Sequence, residues 1–183
     1  GGAGEDVFIY SAGKDVIADY SEDDKISVSA EKITASVSGN NVILNKNLTV
    51  KDAVGKKITV NDEVKIYEAG KIYNEDKNEL TLTSAFSGTL ENSVVSVDGS
   101  DVKNSLNITG NDSDNLIVGG KKADTLNGGA GDDTLTGGDG KNIFVYESGN
   151  DVINDYSEED KISLKSAITN YYVNNDDVIF ETK

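Results

Sequence analysis

Large apolar residues recur at every ninth position of this chain between residues 107 and 163. Three consecutive nonamers show the pattern: GGKKADTLN, GGAGDDTLT and GGDGKNIFV, which begin at Gly119, Gly128 and Gly137. The apolar residue stands at position eight, and the phase holds at Ile108, Ile117, Leu126, Leu135, Phe144, Ile153 and Ile162. Neither an α-helix nor an ordinary strand has this period, so the pattern predicts a solenoid with a half coil of nine residues.

The two parts of each nonamer predict different local structures. The first six residues are polar and rich in glycine, which indicates a turn whose backbone adopts conformations closed to other residues. The last three residues form a short strand whose middle side chain points inward. Two half coils make one flattened turn around a thin apolar core, and successive turns stack about 4.8 Å apart. The predicted fold is therefore all-β, a parallel β-roll.

Residues 1–28 are a second copy of residues 137–164, since 17 of 28 positions are identical at an offset of 136. Phe8, Ile17 and Ile26 continue the nine-residue phase in this copy. We interpret the duplication as one period of a tandem array, in which the opening GGAGEDVFI is a nonamer of a longer roll. The alternative is a pair of unrelated caps of one type.

The residues between the two copies follow a different pattern. From 29 to 106 the glycine pattern is lost, and short alternating runs of Val, Ile and Thr appear, with a hairpin turn near residues 38–41. These runs predict either a meander or an extension of the solenoid by longer coils. We therefore divide the chain into the end of a preceding roll with its cap (1–28), a β-rich intervening segment (29–106), the nonapeptide β-roll (107–145), and the closing coils with the start of the next repeat unit (146–183).

Position six of the nonamers carries the candidate chemistry, because it holds an acid or an amide. Equivalent loops recur every second nonamer, which places Asp124, Asn142 and Asp160 on one edge and Asn115, Asp133 and Asp151 on the other. Like charges 4 Å apart repel by about 1 kcal/mol in water and by more where water is excluded, so a stack of carboxylates needs cations. The chain contains no His and no Cys. Oxygen ligands alone favour calcium over zinc or copper.

We expect the metal ligands to be these carboxylates and the main-chain carbonyls that the glycine turns expose. The candidate residues are Asp6, Asp15, Asp24, Asp112, Asp114, Gly119, Asp124, Gly128, Gly129, Gly131, Asp133, Gly137, Gly138, Gly140, Asp151 and Asp160. Lys122 replaces the position-four glycine, and Asn115 and Asn142 replace the acid, so the sites beside them are expected to be weak or empty. Asp112, Asp114, Asp132 and Asp139 could serve there instead, or could be solvated loop acids.

The GGxGxDxUx nonamers resemble the calcium-binding β-roll of the RTX (repeats-in-toxin) family. The resemblance covers residues 107–163 and 1–28. It implies calcium as the bound ion, export through a type I secretion channel as an unfolded chain, and folding outside a bacterial cell. The GxDVIxDYSxxDKIS segments are similar to the closing coils of such rolls, in which Tyr20 and Tyr156 would shield the last apolar layer.

Composition limits the partners and the chemistry. The net charge of −16, from 17 basic and 33 acidic residues, argues against nucleic acid and anionic lipid as partners. No apolar run reaches 18 residues, so no membrane insertion is expected. Without His and Cys the usual nucleophile triads and zinc sites are excluded. We therefore predict that the chain is not an enzyme.

The sequence as a whole predicts a calcium-binding structural repeat module of a large secreted or surface-attached bacterial protein, of the adhesin or surface-layer type. Its expected partners are calcium ions and neighbouring repeat units of the same chain. The alternative is an accessory C-terminal module of a secreted exoenzyme that aids secretion, folding or polysaccharide binding. Whether residues 29–106 bind a cell-surface polysaccharide or another extracellular ligand is left open.

Overall fold

A computed structural model describes residues 1–30, 33–165, 170–174 and 177–181. These residues form strands, turns and bends and contain no helix. The chain divides into two compact units, Gly1–Lys77 (unit 1) and Asn78–Lys183 (unit 2). The division falls inside the intervening segment that the sequence pattern marks at 29–106.

Unit 1 contains nine strands in two sheets. They are β1 (Val7–Tyr10), β2 (Asp15–Ile17), β3 (Lys25–Val28), β4 (Ala35–Ser38), β5 (Asn41–Leu44), β6 (Leu48–Val50), β7 (Lys57–Val60), β8 (Glu63–Glu68) and β9 (Lys71–Asn74). One sheet has the order β1-β3-β7-β8-β9, in which β1, β3 and β7 are parallel and the last pairs are antiparallel. The other has the order β2-β6-β5-β4, with β2 and β6 parallel. Unit 1 therefore combines solenoid coils with a meander.

The meander of unit 1 has the turns that its sequence predicts. β4 and β5 pair with Ser38 opposite Asn41, which confirms the predicted hairpin. Asn61 and Asp62 both adopt positive φ between β7 and β8, as the two central residues of a tight hairpin turn must. The strands bury one face, so that Val42, Leu44, Val50 and Ile58 are fully buried.

Unit 2 contains twelve strands. They are β10 (Glu79–Leu82), β11 (Ser87–Thr89), β12 (Ser96–Asp98), β13 (Asn107–Thr109), β14 (Leu116–Val118), β15 (Thr125–Asn127), β16 (Thr134–Thr136), β17 (Ile143–Tyr146), β18 (Val152–Ile153), β19 (Lys161–Leu164), β20 (Asn170–Asn174) and β21 (Asp177–Glu181). Odd-numbered strands from β11 to β19 form one parallel sheet, and even-numbered strands from β10 to β18 form another. β21 and β20 continue the second sheet as antiparallel strands.

The register of unit 2 is that of a β-roll with 18 residues per turn. Thr125 lies opposite Ile143, and Leu116 lies opposite Thr134. The position-eight residues from Ile108 to Ile153 point into the thin core between the two sheets and are buried. The predicted all-β parallel roll is thus confirmed. Between 79 and 106 the same two sheets continue at longer spacings, with Ser87 opposite Asn107, so longer coils extend the roll toward the start of unit 2.

Candidate calcium-binding ladder

Position-six side chains join each coil of unit 2 to the coil 18 residues earlier. Asp133 Oδ1 accepts the Asn115 backbone N–H at 2.8 Å, and Asp151 Oδ1 accepts that of Asp133 at 3.1 Å. Both carboxylates are 1–2% exposed. Asn115, Asp133 and Asp151 therefore form one buried column, in which a side-chain oxygen of each member binds the main chain of the member before it.

The second column lies in the loops that precede the odd-numbered strands. Asn142 Oδ1 accepts the Asp124 N–H at 2.9 Å, and Asp160 Oδ1 accepts the Asn142 N–H at 2.7 Å. At its start, Asp124 Oδ1 accepts the Leu106 N–H at 2.7 Å, although Leu106 itself brings no polar side chain. We call the two columns together the position-six ladder. Its bonds are the same whether position six holds Asp or Asn, because both offer an acceptor oxygen.

The second carboxylate oxygen distinguishes the members of the ladder. Asp124 Oδ2 accepts the Gly120 N–H at 2.5 Å, and Asp160 Oδ2 accepts the N–H and hydroxyl of Ser157, both at 2.8 Å. Asp133 Oδ2 is also buried, but it has no hydrogen-bond partner among the described residues. A buried polar atom without a partner costs about 1–3 kcal/mol, which makes this oxygen a strong candidate for an ion ligand.

The glycines around Asp133 serve two different needs. A Cβ at Gly128 would overlap the Asp133 carboxylate, so position one must be glycine for the acid to pack against its own turn. Gly129 and Gly131 instead have φ of +105° and +102°, which other residues rarely adopt. The turn therefore forms a cradle around the unpaired oxygen that any added side chain would fill.

Burial of the carboxylates makes the ladder electrostatically costly without a cation. Burial, together with the nearby Asp114 and Asp132 charges, raises the pKa of Asp133 to about 6. Burial and the charges of Asp133 and Asp132 raise the pKa of Asp151 to about 7. The pKa of Asp124 is also raised by burial. A cation beside these groups would reverse the effect, because an opposite charge favours the ionised form.

The donor set around Asp133 fits calcium. No three acidic side chains of the described residues converge on one point, so carboxylates alone cannot hold an ion here. Calcium accepts backbone carbonyl oxygens as well as carboxylates. The fitting ligands are therefore the unpaired Asp133 oxygen and carbonyls of the surrounding glycine turns, such as that of Gly128, which lies against Gly110 of the coil below.

A family model of the RTX calcium-binding nonapeptide repeat, in four copies, matches residues 1–17, 109–144 and 118–153. The chain carries RTX calcium-binding nonapeptide repeats. These RTX repeats bind calcium ions, which confirms the cation that the sequence predicts. A search of curated proteins finds no significant match to the chain.

The RTX repeat family is typically extracellular. In the part of the chain that the structure describes, there is no helix long and apolar enough to span a membrane.

The first RTX segment repeats part of the ladder in unit 1. Asp24 Oδ1 accepts the Asp6 N–H at 3.0 Å, and Asp24 Oδ2 accepts the Ser21 N–H at 2.7 Å. The Ser21 bond, with a second from Asp6, lowers the pKa of the Asp24 carboxyl. Asp6 Oδ2 is buried without a hydrogen-bond partner among the described residues, as in Asp133. Asp15 is exposed, and the structure does not bring it into the ladder.

The exposed loop acids lie outside the buried columns. Asp114 Oδ1 accepts the Asp132 N–H, and Asp132 Oδ1 accepts the Asn150 N–H, both at 2.9 Å. Position five thus forms a third, exposed column beside the ladder. Asp112 and Asp139 are exposed as well. As candidate ligands they have weaker support than Asp133, because water already solvates them.

The backbone also distinguishes the loops that depart from the repeat. The loop from Gly119 to Asp124, which is described in full, has no positive φ, whereas Gly138 and Gly140 of the next loop have φ of +78° and +110°. Lys122 at position four accounts for the difference, because a residue with a Cβ avoids that conformation. The RTX turn is therefore regular at 128–133 and 137–142, and altered before Asp124.

Two acids that the sequence reasoning missed close the ends of the RTX coils. Asp155 accepts the N–H groups of Gly137 and Gly138 at 2.7 and 2.8 Å. Asp19 makes the equivalent contacts with Gly1 and Gly2. Both acids stand at position one of their nonamers, where the other repeats have glycine, and that departure was the signal in the sequence.

Proposed function

We propose that the chain is a calcium-dependent structural module of a large secreted bacterial protein of the adhesin or surface-layer type, and that calcium binding folds and stiffens its roll. The coarser part of this statement, an RTX calcium-binding β-roll module, is already established by the repeats. The finer part concerns what the ion does mechanically and where the module works.

The observation that carries the proposal is the position-six ladder. Every coil is bonded through a buried acid or amide to the next, so cohesion along the roll depends on holding those acids in the interior. Their raised pKa values mean that the apo-protein resists this arrangement at neutral pH. A bound cation removes the resistance, and its binding free energy becomes folding free energy.

Coupling of this kind suits a protein that crosses a membrane unfolded and works outside the cell. Cytosolic calcium is too low to fill weak sites, whereas extracellular sites bind at about 10⁻⁴–10⁻³ M. The chain would stay extended during type I export and close its roll afterwards. The internal duplication at an offset of 136 residues supports a parent built from many such units, which is the architecture of a spacer or array.

A non-catalytic role is part of the proposal. The chain has no His and no Cys, and the buried acids are committed to main-chain hydrogen bonds within the ladder. Side chains with that commitment hold coils together and leave no carboxylate pair free for acid–base work. The module is therefore assigned a mechanical role.

Circular dichroism during a calcium titration tests the proposal, with magnesium as the control. We expect β-structure to form cooperatively with calcium and to form much less with magnesium, which dehydrates reluctantly and demands octahedral geometry. A fold that is complete in chelator and unmoved by calcium would rule out coupled folding. Force spectroscopy on the same samples should show a higher unfolding force in calcium.

A groove in unit 2 favours a second candidate, an accessory module that touches polysaccharide. The groove has a volume of about 380 Å³, and Phe86, Ser87, Asn107 and Thr125 line it. An aromatic ring beside hydroxyl and amide groups is the type of surface that a sugar contacts. Glycan binding in calcium by the wild type, lost in Phe86→Ala, would support this role. Failure of all tested glycans to bind would leave the structural role alone.

A further inference from the structure

The two copies of the duplicated segment differ in how their last apolar layer is covered. We call Tyr156, Ile162 and Leu164 of unit 2 the β19 face. Tyr156 is 37% exposed and Leu164 is 49% exposed, whereas the equivalent Tyr20 and Val28 of unit 1 are 6% and 5% exposed. The surrounding sequences, DYSEDDKIS and DYSEEDKIS, differ only at Asp23 and Glu159. The difference therefore lies in what packs on each copy.

In unit 1 the strand β7 covers this layer. β7 pairs in parallel with β3, with Val60 opposite Ile26. The Thr59 N–H donates to Tyr20 Oη at 2.9 Å, and Tyr20 Oη–H donates to the Asp24 carbonyl at 2.9 Å. Tyr20 thus does not shield the last layer, as the sequence pattern had predicted. It lies between two layers, and the coil continues past it.

The second sheet shows a matching difference. In unit 1, β6 pairs in parallel with β2 and separates β2 from the β4–β5 hairpin. β18 and the β20–β21 hairpin are the equivalents of β2 and the β4–β5 hairpin at the offset of 136. In unit 2, however, β21 pairs directly and antiparallel with β18. The hairpin therefore occupies the place beside β18 that β6 occupies beside β2.

We propose that the β19 face and the free edge shared with β18 form a docking surface for one more coil with the chemistry of residues 47–60, supplied by a neighbouring repeat unit. Its first strand would enter between β18 and β21, displacing the hairpin by one strand. Its second strand would pair in parallel with β19 and donate an N–H to Tyr156 Oη. The proposal deepens the array function above and rests on it only for the source of the coil.

The interface in unit 1 shows why such a coil is selective. It contributes five apolar residues that are fully buried or nearly so: Leu48, Val50, Ala53, Ile58 and Val60. Beyond the strand, Asn61 accepts the Val28 N–H at 2.7 Å and donates to the Val28 carbonyl at 3.0 Å, which satisfies the end of β3. The occupant is therefore an apolar parallel strand followed by a side-chain amide, and an acidic nonapeptide turn does not fit that description.

The test extends the full chain after Lys183 with a second copy of residues 48–77, because Lys183 aligns with Asn47 at the same offset. In calcium, hydrogen exchange of the β19 amides should slow by roughly 100-fold, since a paired strand exchanges only through opening. Cross-strand NMR contacts of β18 should change from antiparallel to parallel. Unchanged exchange and unchanged β18 pairing would overturn the proposal.

A control extension carries Val50→Asp and Ile58→Asp in the added copy. It should leave β19 exchange at the wild-type rate, and equal protection by both extensions would overturn the proposal by showing non-specific cover. A calcium titration of the extended chain separates this result from the proposed function. Protection of β19 without calcium-coupled folding sinks the proposed function alone, whereas coupled folding without protection sinks the docking surface alone.

Discussion

The two units carry their acidic residues in different places. Unit 1 has 10 lysines and 14 acidic residues, a net charge of −4, whereas unit 2 has 7 lysines and 19 acidic residues, a net charge of −12. Unit 1 pairs acids with lysines on its surface, as in Lys57–Glu75 at 2.8 Å and Lys71–Glu68 at 2.9 Å. Unit 2 buries four acids in its ladder.

This difference shows which part of the molecule depends on the ion. Surface pairs of opposite sign are solvated and nearly neutral, so the meander of unit 1 needs no further charge. Buried acids in columns repel each other and lack water, so the RTX coils of unit 2 require a cation that the chain does not supply. The same composition of acids therefore gives one calcium-independent region and one calcium-dependent region.

Removal of calcium should produce the largest contrast between the two regions. With chelator, backbone amides of residues 110–160 should lose protection from hydrogen exchange, whereas those of the β4–β5 and β8–β9 hairpins should keep most of theirs. A site that binds at 1,000 times its dissociation constant contributes about 4 kcal/mol, and several sites act together. Exchange measured by mass spectrometry, with and without chelator, resolves the regions.

Uniform loss of protection in both regions would contradict the comparison, because the meander would then depend on the ion as well. Magnesium added to the chelated sample is the control. It should restore little of the protection in unit 2.

Phe144→Ala should have the next largest effect. Phe144 is buried in the core of unit 2, and truncation of a buried Phe costs about 3–5 kcal/mol of unfolding free energy. Phe8→Ala is the matched control, since Phe8 is the equivalent residue of the first copy and is only partly buried. Thermal unfolding in calcium should show the larger loss for Phe144→Ala, and equal losses would mean that Phe8 is packed as tightly.

The nine-residue phase predicted most of the fold and the identity of the ion. Position eight gave the core from Ile108 to Ile153, because an inward residue in each half coil is the one requirement that a flattened solenoid cannot relax. The glycine turns predicted the RTX match, and oxygen-only chemistry predicted calcium. These features depend on local sequence alone.

The features that could not be predicted join residues far apart in the chain. Leu106 offers only a backbone N–H to Asp124, and no side-chain pattern marks such a donor. The identical nine-residue segments around Tyr20 and Tyr156 carry no record of which strand covers them. The two options for residues 29–106, meander and longer coils, both occur, one in each unit, because alternating apolar runs suit either.

Asp133→Asn should separate the two roles of the ladder. Asn keeps the acceptor oxygen for the Asn115 N–H, as Asn142 does for Asp124, but it removes the charge. We expect calcium affinity to fall by about tenfold or more, a loss of about 1.4 kcal/mol. In chelator at pH 7.5 the variant should be more stable than the wild type, because burial of the Asp133 charge is costly.

Asp76→Asn is the control for this substitution, since Asp76 lies in unit 1 and accepts the Val64 N–H at 2.9 Å. Isothermal titration with calcium should give the wild-type affinity for Asp76→Asn. Equal affinity in both variants, or a lower apo-stability in Asp133→Asn, would show that the carboxylate charge has no part in the site.

Glu63→Gln should have the smallest effect and should appear only in unit 1. Lys65 and Lys77 contact the Glu63 carboxylate at 2.6 and 2.7 Å and lower its pKa to about 2. A folded pKa below the ordinary value of 4.5 contributes stability above pH 4.5, and this contribution is lost as the pH falls toward 2. The group is more than a third exposed, so the free energy at stake is about 0.5 kcal/mol. Thermal unfolding at pH 7 and pH 3 should show the wild-type advantage at pH 7 and a smaller one at pH 3, with calcium affinity unchanged. A change in calcium affinity would contradict the separation between the paired surface acids of unit 1 and the buried acids of unit 2.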